Sequence, residues 1–330
     1  MKDKIKWGIL STGKIAHKFA EDLIRVESAE LQAVGSRNLK KAQEFAQRFD
    51  VPNAFGSYDE LAEFDDIDVV YIGSPHSLHI QHSILCLKNN KHVLCEKPMG
   101  INQQEVHKMI QVAQDNQRFL MEAMWTRFFP FFESMSEIVD SGEIGDIKFI
   151  EADFGFSFDF DASHRLFDPS LGGGALLDVG IYPVFIAIFL LGKPKEIRSL
   201  MSPTQSGVDE TITIQMSWQN GIIANLIASV GMDTRCEAKI VGTRKTIHIP
   251  RRWHEADRIL IMEGEQIFKE IGFTRTCRGY LYEIHEVNRC ISEGRLTSSK
   301  MPLELSLLIS EVLDEIRTLV DLRYPQDITF

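Results

Sequence analysis

Along the first third of the chain two periods of apolar positions take turns. The runs Ile5–Leu10, Glu30–Gly35, Ile67–Gly73 and His92–Cys95 are short, rich in Val, Ile and Leu, and predict strands buried on both faces. Between them, Lys14–Arg25, Leu39–Phe49, Leu78–Asn89 and Gln103–Asp115 repeat apolar residues at three and four, as in Ile15, Phe19 and Leu23 or Ile80, Ile84 and Leu87. Those stretches predict amphipathic helices. Strand and helix in alternation mark a parallel sheet with crossover helices, an α/β doubly wound architecture. Ser57 before Tyr58-Asp59-Glu60 and Asn102 before Gln103-Gln104-Glu105 each set a cap residue three positions ahead of a glutamate, the pattern of a capping box.

Past a further strand at Phe119–Glu122 the texture changes, which divides the chain into a first domain of residues 1–123 and a second of residues 124–330. Asp146–Phe156, Glu210–Trp218, Ile222–Val230 and Cys236–Val241 alternate apolar and polar residues, as strands of an antiparallel sheet covered on one face do, with Asn220-Gly221 as a hairpin turn. The other face needs cover. Helical spacing returns at Leu281–Ser292 and Leu303–Leu322. The most apolar stretch, Ile181–Leu191, contains Pro183 and falls short of the ~20 residues of a spanning helix, so it reads as a buried helix.

With 330 residues, 44% hydrophobic and 25% charged, the chain can bury two cores, and disorder is excluded as its main theme. A formal charge of −11 repels phosphate backbones and anionic lipid and argues against nucleic-acid or membrane-surface binding, while leaving room for a local basic pocket. Cys86, Cys95, Cys236, Cys277 and Cys290 are widely spaced with no C-x-x-C or Cys/His grouping, which suggests neither a disulfide framework nor a metal site. A reducing cytoplasm suits that usage, and the opening MKDKIKWGIL has too few apolar residues to serve as an export signal.

Three places carry chemistry. Strand Ile5–Leu10 leads into Ser11-Thr12-Gly13-Lys14-Ile15-Ala16 and a helix, the context of a dinucleotide fingerprint, where Gly13 admits a pyrophosphate and the helix N-terminus offers N–H groups. Ser11 replaces the usual first glycine, and the segment alone also suits a plain strand–turn–helix. After the second strand, Gly35-Ser36-Arg37-Asn38 lacks the acid that grips the ribose 2′-hydroxyl of NAD; Arg37 and Ser36 suit a 2′-phosphate, which favours NADP(H) with NAD also possible.

The strand ends Gly73-Ser74-Pro75-His76-Ser77-Leu78-His79 and Cys95-Glu96-Lys97-Pro98 lie where open α/β sheets place ligands. Lys97, aimed by the proline after it, either polarises a substrate oxygen or is an ordinary strand-end lysine. In Gly172-Gly173-Gly174-Ala175-Leu176-Leu177-Asp178-Val179-Gly180-Ile181-Tyr182, a helix after the glycines sets Asp178 and Tyr182 at i and i+4 on one face. A carboxylate in so apolar a segment is either paired or used.

Together GILSTGKIA, SPHSLH, KHVLCEKP and GGGALLDVGIYP resemble the glucose-fructose oxidoreductase / inositol dehydrogenase (Gfo/Idh/MocA) family, and EAMWTRFFP at Glu122–Pro130 resembles its dimeric dihydrodiol dehydrogenase and D-xylose dehydrogenase branch. The resemblance implies a Rossmann domain followed by an α+β domain with a large, mostly antiparallel open sheet, whose exposed face packs against a second subunit in a homodimer. It implies catalysis by Lys97 and Tyr182 with Asp178 beside them at the substrate. His76 and His79 line the cofactor pocket by the same likeness, and Trp125, Arg127 and Phe154 lie near cofactor or substrate. Tyr182 stands where many sugar-oxidising relatives have His, which points to the dihydrodiol branch.

Moving a hydride to or from a secondary alcohol needs an acid/base for the hydroxyl proton. A free tyrosine, with pKa ~10, is a weak base at neutral pH, and a neighbouring ammonium favours the phenolate. This assigns Tyr182 as acid/base, Lys97 as its electrostatic helper and oxygen polariser and Asp178 as the group orienting a substrate hydroxyl, while the sequence leaves open which of Lys97 and Tyr182 finally carries the proton. Trp125, Phe128, Phe129, Phe154, Phe156 and Phe158 offer flat surface and Arg127, His164 and Arg165 offer donors, a mixture that suits a sugar or cyclic trans-diol, although core packing accounts for most of these aromatics. Trp253 and His254 receive no role. The alternative is a dinucleotide-binding regulator without turnover, whose mark would be loss of the lysine or of the Asp/Tyr pair.

Overall fold

A computed structural model describes residues 4–328. It resolves into two compact units, residues 1–128 with 275–307 and residues 129–274 with 308–330.

The first unit is built on a six-stranded parallel sheet of order β3-β2-β1-β4-β5-β6: β1 (Ile5–Leu10), β2 (Ala29–Gly35), β3 (Asn53–Phe55), β4 (Val69–Ile72), β5 (His92–Glu96) and β6 (Leu120–Ala123). The helices between are α1 (Lys14–Leu23), α2 (Leu39–Phe49), α3 (Tyr58–Glu63), α4 (His79–Lys88) and α5 (Gln103–Asp115). The order reverses between β1 and β4, and that switch point is where such sheets bind ligands. Both capping boxes form: Ser57 accepts the N–H of Glu60 and Asn102 that of Glu105. The glutamates reach back one residue further than the cap, to Gly56 N and Ile101 N.

Residues 275–307, placed by the periodic pattern in the second domain, pack with the first unit. The joint is Asp22 at the end of α1. Fully buried, it accepts the backbone N–H groups of Arg278, Gly279, Tyr280 and Leu281 and so caps α8 (Tyr280–Ser292). Trp7 adds a bond from Nε1 to Asn288 Oδ1 at 3.0 Å. A helix start whose cap lies more than 250 residues away cannot be read from local sequence.

The second unit is an eight-stranded mixed sheet of order β14-β13-β12-β11-β7-β10-β9-β8. Its strands are β7 (Ile147–Gly155), β8 (Glu196–Pro203), β9 (Asp209–Ser217), β10 (Ile223–Ser229), β11 (Ala238–Gly242), β12 (Thr246–Ile249), β13 (Arg258–Glu263) and β14 (Gln266–Gly272). All pairs are antiparallel except β7 with β10. Alternation sends Ile150, Ile212, Ile214, Leu226 and Ile240 to one buried face, against which lie α6 (Pro130–Asp140) and α7 (Ile181–Leu191). The opposite face carries Glu151, Thr213 and Gln215 together with exposed Leu200 and Ile223. The last helix, α9 (Leu303–Leu319), starts in the first unit and continues in the second.

One helical run, Pro169–Leu191, is long and apolar enough to cross a membrane by composition, and 83% of its most apolar window is buried within the protein, as in a core helix. A plain α-helix was expected over Asp178 and Tyr182. Residues Leu176–Gly180 instead form a wider π turn before α7. Pro183 has no N–H for the Val179 carbonyl four residues back, which removes the α register at that point.

Candidate functional site

In the first unit the switch point is lined by the ends of β1, β2, β4 and β5. Gly13 caps α1 in extended backbone with no side chain over it, and a Cβ there would meet only Ser11 Oγ at 3.5 Å, so the cradle is open to a phosphate. Ser11 holds φ of 101°, the left-handed region in which the fingerprint uses glycine, and its Oγ accepts the Gly13 N–H at 3.2 Å. Thr12 Oγ1 reaches Ser36 Oγ at 3.5 Å; Lys14 is exposed and Ile15 half-buried. Arg37 is exposed at the end of β2 and lies beside the Tyr58 phenol, which burial pushes above its ordinary pKa and the guanidinium draws back.

The β4 and β5 ends are tied into one assembly. His82 Nδ1 lies 2.9 Å from Ser74 Oγ, and its ring is held down to about 4, by burial first and then by the positive charges of His79 and Arg37. Pro75 leads into a short turn carrying buried His76, whose ring lies 5.7 Å from that of His79. Glu96 is turned inward: Oε1 accepts the Tyr71 hydroxyl at 2.5 Å and Oε2 the backbone N–H of Lys97 at 3.2 Å. Lys97 is half-buried, and the Lys97–Pro98 bond is cis. Trp125 stacks on Tyr280 at 5.1 Å, and Arg127 Nε donates to Lys300 O at 3.0 Å.

Glu122 on β6 escaped sequence reasoning, although a charged residue within Phe119–Trp125 was a signal. Its Oε1 accepts the Met99 N–H at 3.0 Å, and burial pushes its carboxyl up to about 7. Because the folded chain binds this proton more tightly than the unfolded one, the stability it contributes is complete below about 4.5 and is lost as pH rises through about 7. Glu122→Gln keeps the acceptor without the charge. Its stability relative to the native chain should therefore improve by about 2–3 kcal/mol between pH 5 and pH 8, read by denaturant unfolding at both.

In the second unit Asp178 and Tyr182 are both buried, Asp178 within the π turn and Tyr182 in the first turn of α7. Arg165 Nη1 donates to Asp178 Oδ1 at 3.0 Å, with Arg165 itself half exposed. Phe154 lies 5.4 Å from the Tyr182 ring. His254, given no role above, is buried and stacked on Phe154 at 4.1 Å and 13°, and it lies 5.6 Å from Tyr182. Trp253 is fully buried and donates to Asp153 O. The polar Arg251-Arg252-Trp253-His254 string concealed both residues. Among the aromatics, Phe128 and Phe129 are core, Phe156 is half-buried, and Phe158 is exposed over His164 at 4.5 Å.

Each unit matches a known domain. Residues 5–124 match the oxidoreductase family, NAD-binding Rossmann fold, and residues 132–248 match the GFO/IDH/MocA C-terminal domain. Over 337 residues the chain is 37% identical to a trans-1,2-dihydrobenzene-1,2-diol dehydrogenase of Mus musculus, covering 98% of this chain and 99% of that protein. The Homo sapiens protein of that name is 35% identical over 335 residues with the same coverage. A 3-ketoreductase from Actinomadura kijaniata, solved with NADP and TDP-benzene, shares the fold with a TM-score of 0.87 at 23% identity over 96% of this chain and 98% of that one. So does an aldose-aldose oxidoreductase from Caulobacter crescentus complexed with glycerol, with a TM-score of 0.87 at 22% identity and the same coverage.

Proposed function

This chain belongs to the Gfo/Idh/MocA family of NAD(P)-binding oxidoreductases, and on that footing we propose that it moves a hydride between NADP(H) and a secondary alcohol or carbonyl of a sugar or cyclic trans-diol. The observation that carries this reading is the buried Asp178–Tyr182 pair on an apolar helix, beside Phe154, in a chain aligned end to end with dihydrodiol dehydrogenases. Nothing about packing requires a carboxylate there.

When bound, the nicotinamide supplies the hydride donor or acceptor. The residues present fit such a group: Gly13 leaves room for the pyrophosphate, Ser11, Thr12, Lys14 and Ile15 form the loop, and Ser36 and Arg37 stand where a 2′-phosphate would need donors. Ser74, Pro75, His76, His79, Glu96, Trp125 and Arg127 shape or support its remaining wall. Tyr182 passes the hydroxyl proton, Lys97 favours the phenolate by its charge, and Asp178 orients a substrate hydroxyl while Arg165 steadies it.

The test is turnover with a panel of pentoses, hexoses, inositols and trans-diols, read at the absorbance band of the reduced cofactor with NADP+ and NAD+ in parallel. A regulator without turnover would reduce neither. Arg37→Ala should cut the NADP+ over NAD+ preference in kcat/KM by about tenfold to a hundredfold, since each charged hydrogen bond to phosphate contributes about 1.5–3 kcal/mol. An unchanged ratio would remove Arg37 from coenzyme choice.

A homodimer through the open sheet completes the proposal: exposed Leu200 and Ile223 sit on that face with Ile227 between polar neighbours, an apolar surface suited to a second copy. We place the protein in the cytoplasm, supported by five free cysteines, four of them buried.

A further inference from the structure

His79 begins α4 with a fully buried side chain, and both of its ring nitrogens meet backbone carbonyls. Nδ1 lies 2.7 Å from Pro98 O and Nε2 lies 2.9 Å from Ser74 O. A carbonyl oxygen only accepts. A neutral imidazole has one N–H and one lone pair, so one of these contacts would then set a lone pair against an oxygen at hydrogen-bond distance; the cation donates on both sides. We propose that His79 is a positioning residue held as the imidazolium, whose two N–H groups staple the end of β4 to the Lys97-Pro98 turn at the end of β5. The functional half of this inference rests on the assignment of Lys97 to catalysis; the protonation half does not.

The turn is grasped at three successive residues by side chains from three elements. Glu96 on β5 takes Lys97 N, His79 on α4 takes Pro98 O, and Glu122 on β6 takes Met99 N. The middle grip also reaches a second loop, through the Ser74 carbonyl. The titratable groups about the ring are His76 and His82 from its own segment, Glu96 and Lys97 on the turn it holds, and Glu122 behind that turn. A buried cation needs dipoles or opposite charge, and here two carbonyl oxygens lie at hydrogen-bond distance from its ring nitrogens while Glu96 stands on the same turn. His82, kept neutral, answers Ser74 Oγ and leaves the Ser74 carbonyl to His79.

The measurement is 15N NMR of the native protein with labelled histidine, from pH 6 to pH 8, resolving the nitrogens of His79. The expected result is two protonated ring nitrogens on His79 at pH 8. One protonated and one bare nitrogen at pH 7 would overturn the proposal. Assignment comes from His79→Gln or, if that variant does not fold, from single replacements of His76 and His82 that shift the neighbouring signal. His79→Gln retains one donor and one acceptor, so it can staple only one carbonyl. Its kcat at saturating NADPH and substrate should fall about tenfold to a hundredfold. A kcat within twofold of native with both nitrogens protonated would refute the positioning role. Unchanged turnover in Lys97→Met would instead sink the catalytic assignment and leave the NMR result standing.

Discussion

Tyr182→Phe is expected to lower kcat about a thousandfold while leaving NADPH binding within about twofold. The substitution removes one oxygen from a ring that is buried and boxed in by Phe154 and His254, both of which pack as well against phenylalanine. Stability should therefore change little, and any loss of rate belongs to the proton that the phenol would pass. General acid/base groups contribute about 10² to 10⁴ in rate, which sets the size of the drop. Lys97→Met, which keeps the length of the side chain and deletes its charge, should fall by a comparable factor if the ammonium is what makes the phenolate accessible near neutral pH. The two defects should not multiply in the double variant, since both remove one function. Steady-state rates at saturating substrate, with cofactor affinity measured separately by fluorescence, decide the matter. Turnover of Tyr182→Phe within threefold of native would take the tyrosine out of the mechanism.

The first unit was legible because its elements are specified locally. Strand β1 and helices α2 and α5 have the residues that the apolar spacing predicts, and the caps Ser57 and Asn102 make the bonds their positions promise. In the second unit β7, β9 and β10 were legible for the same reason, each alternating between one wet and one dry face. Strands β12, β13 and β14 were not. β12 and β13 are short, β13 turns directly into β14, and β14 is an edge strand exposed along nearly its whole length, so burial imposes no period on it. Helix α8 was visible as a helix, but its partner was invisible, because Asp22 reads as one more acidic residue on the surface of α1 until its four backbone donors are in place. His254 failed for a related reason. Arg252 takes a left-handed φ of 65°, which turns a string of polar residues so that Trp253 and His254 face inward, and the sequence gives no sign of that turn. Asp178 was legible because charge in an apolar run is a local anomaly; Glu122 offered the same anomaly within a strand.

Gly174→Ala should destabilise the protein by about 4 kcal/mol or more and disturb the start of the helical run that carries Asp178 and Tyr182. Two separate terms add. The backbone at Gly174 has φ of +111°, which costs an L side chain roughly 1–2 kcal/mol by itself. In addition, a Cβ at that position would run into Oδ1 of Asp209. Asp209 has nowhere to go: it is fully buried, its Oδ2 accepts the Leu176 N–H at 2.5 Å, and burial pushes its carboxyl up to about 7 against the pull of those backbone N–H groups. Displacing it leaves the first donors of the π turn unpaired, at about 1–3 kcal/mol each, only two residues before Asp178. Gly192 provides the control. It has φ of +70° and ψ of −157° with open space where a Cβ would lie, so Gly192→Ala should show the conformational cost alone, roughly 1–3 kcal/mol. Denaturant midpoints at unchanged slope compare the two directly. Equal losses would mean that the Asp209 carboxylate does not fix the start of this helix, and the geometry of Asp178 and Tyr182 would then have to be set from the α7 side, by Pro183 and the turn it widens.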